Sequence, residues 1–164
     1  MKTIRTQLRA FTVTDYQCLV DWIDSDELNY LWGGPKFCFP LTQQQLDEHC
    51  ANPDVYAYLF CVDQANAGYV ELYRESLNSF KICRVFISKE FRGQQLSQVM
   101  LTQLMQNAQS EFNATSLSLA VFSHNQVAKR CYQSLGFTTT KVEQGICQFQ
   151  GQQWDLEMMH KVLD

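Results

Sequence analysis

Ile87-Ser88-Lys89-Glu90-Phe91-Arg92-Gly93-Gln94-Gln95-Leu96-Ser97 joins two unlike sequence patterns. Upstream of it, residues 80–88 are rich in aromatic and β-branched side chains and read as a buried strand. Downstream, Leu96, Val99, Met100, Leu104, Met105 and Ala108 form one apolar stripe opposite Gln98, Gln103, Gln106 and Gln109, so residues 94–112 read as a long amphipathic helix. A glycine-bearing turn leading into a helix N-terminus offers unpaired N–H groups at the positive end of a dipole, which suits a pyrophosphate. Gly93 permits close backbone approach, Arg92 adds positive charge, and the Ser97 hydroxyl adds a donor. Taken alone, the junction reads as an ordinary turn.

Outward from this junction the period changes again. Leu117, Leu119 and Val121 alternate as a strand over residues 116–122, and strand, helix, strand implies a right-handed crossover with a parallel pair. Residues 56–62, 68–73 and 80–88, separated by turn chemistry at Asn66 and residues 76–79, predict an antiparallel meander. Ser123-His124-Asn125-Gln126 has the form of a capping box. The helix it opens carries Val127, Ala128, Cys131, Tyr132 and Leu135 on one face and stops at Gly136. Cys131 is expected to face the core, since neighbouring helix positions point about 100° apart. Residues 137–149 and 154–162 suggest a closing hairpin turning at Gly151.

Towards the start, residues 7–11 read as a short strand. Thr14-Asp15-Tyr16-Gln17 and Thr42-Gln43-Gln44-Gln45 read as capping boxes opening two helices, and Trp32-Gly33-Gly34-Pro35 as a loop between them. The expectation is one domain over residues 1–164 of the α/β (α+β) class. It has a mixed, mostly antiparallel sheet of six to seven strands and about four helices.

Composition narrows the function. The chain has 164 residues, 46% of them hydrophobic, and a formal charge of −4 with no Lys or Arg cluster, so nucleic acid is not an expected partner. The opening residues 1–9 interrupt their apolar side chains with charge, unlike a signal peptide, and no stretch reaches the length of a membrane span. Seven cysteines at wide spacings, without a C-x-x-C pair, fit small buried hydrophobes in a reducing cytoplasm. His49, His124 and His160 are scattered, and no metal site is expected. Cys50 beside His49 has no partner at ligand spacing.

Residues 85–137 resemble the GNAT family of N-acetyltransferases. There a strand enters an R/Q-x-x-G-x-G/A turn and an N-x-x-A-x-x-x-Y-x-x-x-G-F block follows downstream. Asn125, Ala128, Tyr132, Gly136 and Phe137 complete the downstream block in register. Of the turn, Arg92 and Gly93 fit, while Gln95 stands where the family has Gly and Ser97 where it has Gly or Ala. A left-handed Gln95 would be strained, whereas within the first helical turn its dihedrals are ordinary, and the latter is expected.

The resemblance implies that two parallel strands splay apart to admit the pantetheine arm of acetyl-CoA. Val85, Phe86 and Ile87 would line the arm, Arg92, Gly93, Gln94, Gln95, Leu96 and Ser97 would cradle the pyrophosphate, and Asn125 would lie nearby. It further implies acetyl transfer to a primary amine of a small molecule or peptide, with Tyr132 as the acid that protonates the departing thiolate, or else as a packing aromatic. A backbone N–H near Ile87 is the expected oxyanion donor. Alternation places Glu71 on the face of Tyr69 and Tyr73, either as a general base acting through water or as a solvated strand residue. Tyr30, Trp32 and Gly33, with Trp22 and Phe37, form either an aromatic rim for a cationic amine or a hydrophobic cover for the sheet. Overall acidity mildly suits a positively charged acceptor. The alternative is a noncatalytic acyl-CoA-binding or protein-interaction module with a degenerate pyrophosphate loop. Monomer and homodimer, the latter through the open hairpin edge, both fit.

Overall fold

In the computed structural model, which describes residues 3–164, seven strands join in one sheet. Met1 and Lys2, which begin the charged opening stretch, lie outside the described residues. β1 (Thr6–Ala10), β2 (Val55–Val62), β3 (Ala65–Arg74) and β4 (Ser79–Ile87) form the antiparallel meander that their aromatic and β-branched runs predict. β5 (Ser116–Phe122) lies parallel to β4. β6 (Thr138–Phe149) and β7 (Gln152–Val162) complete the order β1-β2-β3-β4-β5-β7-β6, so β7 sits between β5 and β6.

The helices are α1 (Tyr16–Trp22), α2 (Asp26–Gly33), α3 (Gln43–Cys50), α4 (Leu96–Phe112) and α5 (Gln126–Ser134). The fifth, α2, takes Trp32 and Gly33 out of the loop expected there. Ser25 caps it by accepting from the Leu28 N–H at 3.1 Å, and the helix ends only at Gly34, where φ is +58°. Gly33 keeps a right-handed backbone in the last turn, where a glycine is tolerated. Capping also differs in detail. Thr12 rather than Thr14 pairs reciprocally with Asp15, which Arg9 grips through two bonds of 2.9 Å. Asn125 rather than Ser123 caps α5, while Thr42 caps α3 as the sequence predicts.

Strand alternation sends side chains to two separate cores. Met100, Leu101 and Leu104 of α4 pack with Phe60, Leu72 and Phe80 on one face. Leu19, Ile23, Trp32 and Leu46 of α1–α3 pack with Tyr69 and Phe86 on the other. Cysteine contributes less to these cores than expected: Cys61 is buried, Cys38 is exposed, and the other five are partly buried.

Close approach of β3 to β4 needs Gly68. A Cβ there would lie 2.6 Å from the Phe86 carbonyl oxygen and 2.9 Å from Ile87 Cδ1. Backbone cannot yield as a side-chain tip can, so Gly68→Ala is expected to lower stability by roughly 1–3 kcal/mol, read from the urea midpoint.

Candidate functional site

Parallel pairing between β4 and β5 is confined to residues 79–82 and 116–119, after which the strands part. The cause is a bulge in β4. Glu71 faces Cys83 and Tyr69 faces Phe86, so β4 spends one residue more than β3 over this stretch. Arg84 takes up the excess with φ at +55°, a left-handed backbone that costs an ordinary side chain roughly 1–2 kcal/mol. Trp32 Nε1 donates to the Arg84 carbonyl at 3.0 Å and anchors the bulge from α2. The divergence opens a cleft of about 600 Å³ between the two strands. Val85, Phe86 and Ile87 line one wall, and Ala120, Val121 and Phe122 the other.

The glycine turn lies at one end of this cleft. Gly93 has φ of +78° with nothing within 4 Å of where a Cβ would sit, so here glycine serves backbone conformation rather than space. Gln95 is left-handed, with φ of 59° and ψ of 23°, and immediately precedes α4. It thus lies outside the helix, not within its first turn as expected, and carries the strain that a glycine would avoid. No side chain caps α4, so the first N–H groups of a 17-residue helix keep their hydrogen-bonding capacity for an anion. Gly93, Gln95, Leu96 and Ser97 line the cleft, and Gln94 does not. Arg92 also lines it. Its Nε donates to the Ile87 carbonyl at 2.9 Å, and its guanidinium lies 5.4 Å from the Phe86 ring centre.

α5 closes the same end. Asn125 Oδ1 accepts from the Ala128 N–H at 3.4 Å, and Tyr132 lies two turns further along the helix. Both line the cleft. Burial raises the Tyr132 phenol above its ordinary pKa. Cys131 packs against the core as expected, partly buried, and also lines the cleft, with Sγ 3.5 Å from Ser97 Oγ.

Glu71 is neither solvated nor on the cleft wall. It is 1% exposed and accepts from His49 Nε2 and Arg84 Nη1, each at 2.9 Å, and from the Tyr69 hydroxyl. Burial pushes its pKa up, but His49, Arg84 and Tyr69 together outweigh that and hold it below the ordinary carboxylate range. Of the residues expected at a rim for the amine, Trp32 and Gly33 line the cleft. Tyr30 instead packs between Phe122, Phe149 and Trp154, at ring separations of 5.9, 5.2 and 5.1 Å. Phe37 stacks on Trp32 and is buried, and Trp22 packs on Phe86, so these rings cover the sheet.

Sequence reasoning weighed His49 only beside Cys50 and set it aside, and it passed over Arg84. Helical spacing in α3 puts His49 on the face of Leu46, and that was the available signal. Arg84 gave none, because a bulge has no mark in a single sequence.

The family model for the acetyltransferase (GNAT) family matches residues 19–137. An uncharacterised N-acetyltransferase, YdgE of Bacillus subtilis (strain 168), is 33% identical over 78 residues, 46% of this chain and 49% of that protein. The chain thus aligns with about half the length of this curated relative. Among solved structures, the spermidine N-acetyltransferase of Vibrio cholerae in complex with CoA and spermine superposes with a TM-score of 0.83 at 19% identity, covering 96% of this chain and 95% of that one. The ribosomal-protein-alanine N-acetyltransferase of Brucella melitensis gives 0.78 at 16% identity, over 96% of this chain and 99% of the other. Matched over most of its length by the family model and sharing the fold of these neighbours, the chain belongs to the acetyltransferase (GNAT) family.

Proposed function

We propose that this protein is an acetyl-CoA-dependent N-acetyltransferase in which a primary amine attacks the thioester directly. The observation that carries this reading is the cleft between diverging β4 and β5, which runs to the uncapped start of α4. Residues 83–87 have no strand partner on that side, so their backbone groups can pair with the amides of a pantetheine arm as an added strand would. The N–H groups from Gly93 to Ser97, with Arg92, hold the pyrophosphate. A backbone N–H near Ile87 steadies the oxygen that gains charge as the amine attacks. Tyr132 keeps its proton at neutral pH and delivers it to the departing sulfur.

Among the described residues the cleft lining holds Lys81, Arg84 and Arg92 and no Asp or Glu; in this reading the amine enters neutral and gives its proton to water. Glu71 acts at one remove, holding the Arg84 bulge in place. It is a positioning residue.

Calorimetric titration with acetyl-CoA, followed by thiol detection of CoA release across a panel of amines and peptides, tests the proposal. One-site binding and amine-dependent release are expected. Absence of heat on titration overturns the proposal. Binding without release from any amine replaces the enzyme by an acyl-CoA-binding module, the outcome that the strained Gln95 turn would favour.

A further inference from the structure

This inference rests on the acetyltransferase reading and deepens it. Although the chain carries a formal charge of −4, the charged residues lining the cleft among the described residues are Lys81, Arg84 and Arg92, with no carboxylate among them. Arg92 stands beside the glycine turn, at the pyrophosphate end. Arg84 stands at the bulge, where the C-terminal half of α2 meets β4.

Arg84 keeps a donor in reserve. Its side chain is 16% exposed, its guanidinium lies 5.4 Å from the Phe37 ring centre, and its Nη1 is fixed on Glu71. Its Nε is buried without a hydrogen-bond partner. A guanidinium presents five N–H donors in a planar fork, and a buried donor left unpaired is costly. Glu71 cannot supply more, because its carboxylate is already shared with His49 and Tyr69. The Nε is covered, and a second oxyanion that displaced its cover would satisfy the orphan donor and balance the positive lining. A polycation would meet Lys81 and Arg92 with no acid among the described residues that line the cleft, and Arg84 already has its counter-charge in Glu71. Leu28, Leu31, Trp32 and Pro35 form the adjoining wall, which suits an apolar side chain.

We propose that the acceptor is an amine bearing a carboxylate and an apolar side chain, as in an apolar α-amino acid, and that Arg84 is the residue that selects it. This reverses the mild preference for a cationic acceptor drawn from overall composition: the charge of the cleft differs in sign from that of the whole chain.

The test uses leucine, methionine and phenylalanine, each beside its carboxamide, with spermidine as the polycation. Equilibrium binding to CoA-loaded protein is measured by calorimetry, and CoA release from acetyl-CoA is followed in parallel. The acids are expected to bind at least about tenfold more tightly than the carboxamides, and Arg84→Gln to bring that ratio near one. Arg84→Lys, which keeps the charge but not the fork, is expected to retain only part of the preference. Equal binding of acid and carboxamide, tighter binding of spermidine, or no binding of any acid overturns the proposal. Acetyl transfer without carboxylate preference removes this inference and leaves the enzyme. Carboxylate preference without CoA release does the reverse. Should Arg84→Gln not fold, the wild-type ratio decides alone.

Discussion

Tyr132→Phe is expected to lower kcat by at least about 100-fold with acetyl-CoA affinity retained, the loss that general-acid catalysis supplies at its lower bound. The substitution removes one oxygen and keeps the ring, so the packing of α5 against Phe137, 6.4 Å away between ring centres, survives. Burial raises the phenol above its ordinary pKa, so the group holds its proton throughout the neutral range. Its deprotonation therefore adds no alkaline limb near neutrality to the wild-type rate profile. Steady-state rates at saturating amine, together with a calorimetric Kd for acetyl-CoA, check both halves of the expectation. An unchanged kcat removes Tyr132 as the acid. A lost Kd with proportionate loss of kcat/KM would make it a binding residue.

Glu71→Ala is expected to cost about 3–5 kcal/mol of stability, the penalty for stranding a buried cation. It removes the acceptor shared by His49, Arg84 and Tyr69 and releases the side chain of a residue whose backbone is already left-handed. Glu71→Gln preserves shape and loses charge, and so isolates the electrostatic part. The folded-state pKa of Glu71 lies below its unfolded value, so its contribution is fully present above the unfolded carboxylate pKa of about 4.3 and is lost as pH falls through the folded value. The difference in urea midpoint between wild type and Glu71→Gln is therefore expected to be largest at neutral pH and to shrink in acid. A difference that does not vary with pH would show that the ionised form of Glu71 is not what stabilises the fold.

What the sequence disclosed follows from how far each signal reaches along the chain. The meander, α4 and the parallel β5 were legible because each writes its own period, and Asn125, Tyr132 and Gly136 were legible because their spacing is local to one helix. Glu71 was placed on the correct face by alternation, but its burial was not foreseen. Its partners come from α3, 22 residues earlier, and from β4, 13 residues later, and nothing local announces them. Gln95 illustrates the opposite failure. Local preference argued for an ordinary helical backbone, and the path of the Gly93 turn into the start of α4 prevailed. α2 was missed because two glycines and a proline outweighed Ser25, whose capping hydroxyl sets the start of the helix.

The interior place of β7 has a consequence for assembly. β5 borders β4 over only four residue pairs, and its other flank is completed by β7, as in the pairing of Ser116 with Val162. Until residues 152–162 emerge from the ribosome, a nascent chain holds β5 as a half-zipped ribbon, and closing it spans a long stretch of polypeptide. Closure of this half therefore waits for β7, and the interval before it is when the exposed ribbon edge is open to chaperones and to self-association.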